Sequence, residues 1–271
     1  MTELFKSKRR IEVLDNLTTF FKADQNIAGL VLVGSAAEET QDIYSGLDLL
    51  VVIANGSVFP SVYRKWKTRL SDLLPAIYKF EQVSTIDSGI YSIMLEDYLE
   101  VNLYFMPLKN LVAEHSPWQV LFDQTQAQDI KPILEKTYQV ERISAPTRVY
   151  RQMMASIWQP ILKCVAAVNR GEVWRALHML DQIRNQTIQL AAMNYGVDTR
   201  NYSEVDQLPE MLLIKLRHTL PTGTDHAAIR RALNTTTELF FQQAILLEEN
   251  INLSLADEVH TKMQPYIEAY S

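Results

Sequence analysis

Apolar positions recur along the chain with two different periods, and the change between them organises it. Residues 9–25 place Ile11, Leu14, Leu17, Phe20 and Phe21 at helical spacing and predict one amphipathic helix. Residues 29–34 (GLVLVG) form a short apolar run closed by glycine, as a buried strand does, and residues 35–45 are polar and acidic, as in a loop. Residues 47–53 (LDLLVVI) predict a second buried strand, ended by Asn55-Gly56. Over residues 60–78, Val62, Trp66, Leu70, Leu73, Leu74 and Ile77 repeat as on a helix, with Pro75 placed to end or kink its last turn. Residues 90–95 and 99–106 predict a hairpin around Glu96-Asp97-Tyr98. Strand side chains alternate faces, so Glu100, Asn102 and Tyr104 share one side while Val101, Leu103 and Phe105 share the other. A short helix and the segment 120–126 (VLFDQTQ) follow.

From Thr147 onward only helical periods remain, with helices expected over 147–169, 172–195, 206–219, 225–250 and 254–269. Pro160 is expected to kink the first of these. Gly171 and Gly196 stand where helix ends favour a left-handed residue, and Asp225 and Ser254 where N-caps belong. The expected fold class is α+β. A mixed β-sheet flanked by helices occupies residues 1–145, and an all-α helical bundle occupies residues 146–271.

Composition narrows the function classes. With 47% hydrophobic and 21% charged residues the chain can bury a core. A net charge of −6 and a pI near 5.5 give no field that would gather a phosphate backbone, so no nucleic-acid partner is expected. The single cysteine, Cys164, lies among Ile161, Leu162, Val165 and Ala166 and reads as a packing residue. His115, His218, His226 and His260 are scattered and show no metal-ligand spacing. The N-terminus has no apolar run behind its basic residues and the longest apolar runs are of strand length, so neither a signal peptide nor a membrane span is expected and the location should be cytoplasmic. Nothing in the pattern indicates an oligomeric state.

One segment carries candidate chemistry. In GLVLVGSAAEETQDIYSGLDLLVVI a buried strand ends at Gly34-Ser35, a polar spacer follows, and Ser45-Gly46-Leu47-Asp48 opens the next buried strand. A glycine-serine turn offers backbone N–H groups and a hydroxyl to a phosphate, with glycine permitting close approach. A carboxylate opening an apolar strand is costly unless partnered, which places Asp48 at a cleft.

This arrangement resembles the signature of polymerase-β-like nucleotidyltransferases: a Gly-Ser turn, a spacer, Asp-x-Asp opening a strand, and a third acid on a later strand, here within LEVNLYFMPL. The chemistry of that superfamily explains the pattern. Paired Mg²⁺ ions neutralise charge at the α-phosphorus during in-line attack, and Mg²⁺ requires hard carboxylate oxygens. This chain departs from the pattern twice, with Gly46 at the first acid and Asn102 at the third, so only Asp48 remains, either as a remnant metal ligand and catalytic acid or as a simple hydrogen-bonded acid. Glu100 shares the face of Asn102, and two readings stay open for it: a replacement metal ligand or a solvated hairpin charge. Glu38, Glu39 and Asp42, in the spacer, read as solvated, with a rescue role for Asp42 as the alternative.

Two further segments extend the resemblance. VLFDQTQ is similar to the stretch that follows the catalytic domain of aminoglycoside nucleotidyltransferases, and NRGEVWRALHMLDQIRNQTIQLAAMNYG is similar to the helical domain of streptomycin- and lincosamide-type members. The resemblance implies an NTP at Gly34-Ser35, a small-molecule acceptor in the cleft between the domains, and Glu172 as general base toward the acceptor hydroxyl. Trp174, His178, Asp181 and Arg184 recur on one helix face, which either lines that cleft or forms a structural polar network. The expected activity is transfer of a nucleoside monophosphate from NTP to a small-molecule hydroxyl, weak or lost because two acids are gone, with Mg²⁺ binding weak or absent. The alternative is a catalytically silent relative that binds a nucleotide, a small molecule or a protein partner.

Overall fold

The computed structural model describes residues 3–37, 45–85, 87–113, 118–127, 129–197, 202 and 204–270. The chain separates into two compact units, Met1–Arg142 and Ile143–Ser271.

The first unit is built on a six-stranded sheet. Its helices are α1 (Glu3–Lys22) and α2 (Phe59–Leu73), and its strands are β1 (Ile27–Val33), β2 (Leu47–Ile53), β3 (Ala76–Thr85), β4 (Ser88–Leu95), β5 (Glu100–Pro107) and β6 (Trp118–Asp123). The spatial order is β3-β4-β5-β2-β1-β6. β2 and β5 run parallel, and every other neighbouring pair is antiparallel.

Burial explains the composition of the strands. On one face, Leu47, Leu49, Val51, Ile53, Val101, Leu103 and Phe105 pack against Leu17 and Phe21 of α1 and Val62, Trp66 and Leu70 of α2. The rings of Phe21 and Trp66 lie 4.2 Å apart. On the other face, Val31, Leu50 and Val52 pack against Leu111, Ala113, Ile130 and Leu134, the last two from α3 (Ile130–Ser156). β1 and β2 are covered on both faces, which is why each reads as a continuous apolar run rather than an alternating one. β5 is covered fully on one face only, and its residues alternate.

The helix expected over 60–78 stops at Leu73. Pro75 has no N–H to continue the ladder, and Ile77 falls instead on β3. β3 is an edge strand whose Ile77, Tyr78, Phe80 and Val83 are exposed, so the burial signal that marks a strand is missing from its sequence.

The second unit holds the C-terminal part of α3 together with α4 (Trp158–Asn169), α5 (Val173–Tyr195), α6 (Glu210–His218), α7 (His226–Ile251) and α8 (Ala256–Tyr270). The helix expected over 147–169 is broken at Ile157. Pro160 then stands in the first turn of α4, where its missing N–H removes no intrahelical bond. Ile161, Cys164, Val168, Leu180, Ile183, Phe240 and Ala244 form the centre of its core. Cys164 is fully buried and its thiol is pushed up to about 12 by that burial, in keeping with a packing role.

Gly171 and Gly196 adopt φ of +72° and +69°, the left-handed values expected of them at helix ends. Asp225 caps α7, its Oδ1 accepting from the Ala228 amide at 2.9 Å. Ser254 is not the group that closes the start of α8. The amides of Leu255 and Ala256 both donate to Glu248 Oε1 from α7, so a carboxylate distant in sequence satisfies them. Among the described residues, no helix is long and apolar enough to cross a membrane.

Candidate active site

The turn and the acid singled out above meet at one edge of the sheet's second face. β1 ends at Val33, and Gly34 opens a single 3₁₀ turn, Gly34–Ala37, with φ of +73°, a conformation strained for any residue with a side chain. Val33 is the antiparallel partner of Asp48, and a Cβ on Gly34 would lie 3.4 Å from Asp48 Oδ2. The backbone of the turn and the carboxylate are therefore immediate neighbours. Ser35 lies in this turn; Glu38, Glu39 and Asp42 fall outside the described residues.

Asp48 is the second residue of β2, half-buried, and its parallel partner on β5 is Asn102. Asn102 Nδ2 donates to Asp48 Oδ1 at 3.0 Å and to Glu100 Oε1 at 3.3 Å. With a carboxylate on either side, only the N–H₂ end of the amide can face them. Asp48, Asn102 and Glu100 thus form one chain of side chains across β2 and β5, Glu100 facing as its parity requires. Ser92 of β4 is the antiparallel partner of Asn102 and extends the same row. A small apolar cavity of about 60 Å³ adjoins it, lined by Val33, Leu50, Tyr104, Met106, Trp118 and Leu134. Tyr104 was visible in advance from strand parity; Trp118, which comes from β6 at the far edge, carried no sequence signal.

The absence of a side chain at position 46 is built into the backbone. A Cβ there would stand 2.9 Å from the carbonyl oxygen of Glu100, closer than packed atoms tolerate, and that oxygen belongs to a strand rather than to a flexible side chain.

These residues do not fit a pair of Mg²⁺ ions. Such a site needs several carboxylate oxygens converging on each ion. Here two carboxylates converge on an amide that presents hydrogens, not oxygen, and no acid can stand at 46 without moving β5. Among the described residues there is no group of three or more His, Cys, Asp or Glu side chains able to hold a metal ion.

The remaining candidates lie in the second unit. Glu172 immediately precedes α5, is half-buried, and accepts from Arg175 Nη1 at 3.0 Å. Trp174 is 82% exposed. His178 is hydrogen-bonded to Gln182 at 3.2 Å. Arg184 pairs with Asp181 at 2.8 Å and donates to both Oγ1 and the carbonyl of Thr219, tying α5 to the end of α6. That part of the helix face is a structural polar network.

The model of the streptomycin adenylyltransferase family matches residues 7–270. The chain belongs to the streptomycin adenylyltransferase family. Among solved structures, this adenylyltransferase-family chain is similar to an aminoglycoside 6-adenyltransferase from Bacillus subtilis, at 13% identity over 95% of this chain and 96% of that one, with a TM-score of 0.48. It is more distantly similar to a chain of the GLD-2/RNP-8 complex, at 12% identity over 89% of this chain and 70% of that one, with a TM-score of 0.31. No curated protein matches it. The family match spans both units, so the Gly34 turn and the Asp48 strand belong to a family member along nearly its whole length.

Proposed function

We propose that the chain binds a nucleoside triphosphate and a small hydroxylated acceptor, as its family does, and that NMP transfer between them is weak or lost. The observation that carries this reading is the Asn102 amide, which donates to Asp48 and Glu100 on the face where the superfamily holds its metal ions. In this reading the N–H groups of the Gly34-Ser35 turn hold phosphate oxygens, and Asp48 orients the nucleotide through hydrogen bonds. Glu172 would accept the acceptor's proton if any transfer remains. Without a carboxylate cradle the charge that develops during phosphoryl-type transfer lacks its main stabilisation. A loss of even about 3 to 4 kcal/mol slows such a step by a factor of hundreds. The alternative, a wholly silent binding protein, draws on the same amide.

The test incubates the protein with radiolabelled NTPs, Mg²⁺ or Mn²⁺, and a panel of aminoglycoside, lincosamide and other hydroxylated acceptors. Equilibrium dialysis of NTP in EDTA runs in parallel. We expect retained NTP binding that does not need a divalent ion, and little or no labelled product. Turnover at ordinary enzyme rates, abolished by Asp48→Ala, would overturn the reading.

A further inference from the structure

A second cavity lies wholly within the helical unit. Between α6, the connection after it and α7 runs a groove of about 470 Å³, within the range of small-molecule sites. Lys215 and His218 of α6, Thr222 of the connection and Arg231 of α7 line it, with Ala232 and Leu239 as apolar wall. It uses none of Gly34, Asp48, Glu100 or Asn102 and is independent of the function proposed above.

Three basic side chains converge on this groove in a chain whose net charge is −6. Among the described residues, no carboxylate lies within ion-pair distance of any of them. Lys215 donates to the neutral amide of Gln242 at 3.1 Å, and the nearby Asp225 is already committed to capping α7. Basic residues in the last turn of α6 complement that helix's dipole, so Lys215 and His218 have an ordinary explanation. Arg231 stands toward the N-terminal end of α7, where a dipole gives a cation no support, and it feels the charge of Asp225 without forming an ion pair with it. Lys215 and Arg231, neither in an ion pair among the described residues, raise the local potential at the concavity and attract an anion, against the more distant charges of Asp225 and Glu238.

We propose that this groove binds a small phosphate monoester. Arg231, His218 and Thr222 supply a guanidinium fork, an imidazole and a hydroxyl at the corner between α6 and α7, a donor set suited to the several oxygens of a phosphate. The uncharged remainder of the ligand lies along Ala232 and Leu239. Glu238, farther along the groove, disfavours a second anionic group there and restricts the ligand to one phosphate.

The test is calorimetric titration of the full chain with phenyl phosphate, and separately with pyrophosphate, benzoate and benzyl alcohol. The same titrations are run on Arg231→Gln, His218→Gln and Asp48→Asn. Phenyl phosphate should bind saturably, weaken with added salt, and lose about tenfold in affinity in the first two variants. Asp48→Asn should leave its affinity unchanged, which separates this groove from the first unit. Pyrophosphate should bind no more tightly than phenyl phosphate. No saturable binding, equal binding of benzoate or benzyl alcohol, or unchanged affinity in an Arg231→Gln protein of normal melting temperature would each overturn the proposal.

Discussion

Asn102 Nδ2 lies 3.0 Å from Asp48 Oδ1 across the parallel β2–β5 pair, and the same nitrogen reaches Glu100 Oε1 at 3.3 Å. One neutral amide therefore keeps two carboxylates apart and satisfied. On this face the amide forms a hydrogen-bonded link between β2 and β5. A carboxylate in place of that amide would undo the link, because three acids would then crowd one face with nothing between them.

Asn102→Asp should accordingly make the protein depend on a divalent ion for stability. In EDTA the variant should lose roughly 1 to 3 kcal/mol, from the lost amide bonds and the added repulsion. Millimolar Mn²⁺ should restore most of that loss in the variant and leave the wild type unchanged, by the linkage of binding to folding. Thermal unfolding with and without Mn²⁺ reads both effects. A wild-type melting temperature that rises with Mn²⁺ as much as the variant's would show that the present residues already hold the ion.

Gly46 sets a steric limit on any return to the superfamily pattern. A Cβ at this position meets the Glu100 carbonyl oxygen at 2.9 Å, so Gly46→Ala should destabilise the first unit by roughly 1 to 3 kcal/mol in urea unfolding. Gly46→Asp should suffer the same loss, and adding it to Asn102→Asp should therefore not restore a two-metal site. A Gly46→Ala protein as stable as the wild type would mean that β5 shifts freely, and the acid pair would then be recoverable.

Much of this was legible in the sequence, for physical reasons that differ by element. β1 and β2 are buried on both faces, so their apolar runs were unambiguous, and strand parity alone put Glu100, Asn102 and Tyr104 together. Only the first residues of β3 read as the end of a helix, because its apolar residues are exposed at a sheet edge and its approach shares the period of α2, and the remainder of β3 carries no strand signal. The Gly-Ser turn pointed to Asp48, and their adjacency follows from the β1–β2 register. The amide's hold on both acids was not legible, since it depends on β2 and β5 pairing in parallel across a long stretch of chain. The same holds for the closure of space at Gly46.

Asp24 gives the first unit an acid-sensitive element. Desolvation pushes its carboxyl up, but hydrogen bonds from Lys65 and Asn26 and the charge of Lys65 together outweigh it, so its pKa lies below the ordinary 3.8. It also accepts from Trp66 Nε1 at 2.8 Å, which fixes α2 against the end of α1. A depressed folded-state value means that the stabilisation is complete above the unfolded-state pKa and is lost as pH falls through the folded one. Asp24→Asn should cost roughly 1 to 3 kcal/mol at neutral pH. The gap between variant and wild type should close below the ordinary value of 3.8. Urea unfolding of the two proteins across the acid range checks this; a gap that stays constant with pH would show that Asp24 acts by shape and not by charge.

Glu248 is the corresponding element of the helical unit, and its role is separable from simple packing. Its Oε1 accepts from the Tyr150 hydroxyl and from the amides of Leu255 and Ala256, and the side chain is buried. It therefore joins α3, α7 and the start of α8 within one core. Burial, and then the Glu248 hydrogen bond and charge, push the Tyr150 phenol well above its ordinary value, so that it remains a donor. Glu248→Ala strands one hydroxyl and two amides and should cost about 3 to 5 kcal/mol. Glu248→Gln keeps the volume and one acceptor oxygen, which takes the place of Oε1, but loses the charge that strengthens three bonds to it, and should cost about 1 to 3 kcal/mol. Hydrogen exchange separates capping from bulk. In Glu248→Gln the Leu255 and Ala256 amides should exchange faster while the centre of α5 keeps its protection, because the start of α8 opens before the core does. Uniform acceleration across α5, α7 and α8 would show that Glu248 supports the whole bundle and not the α8 start in particular.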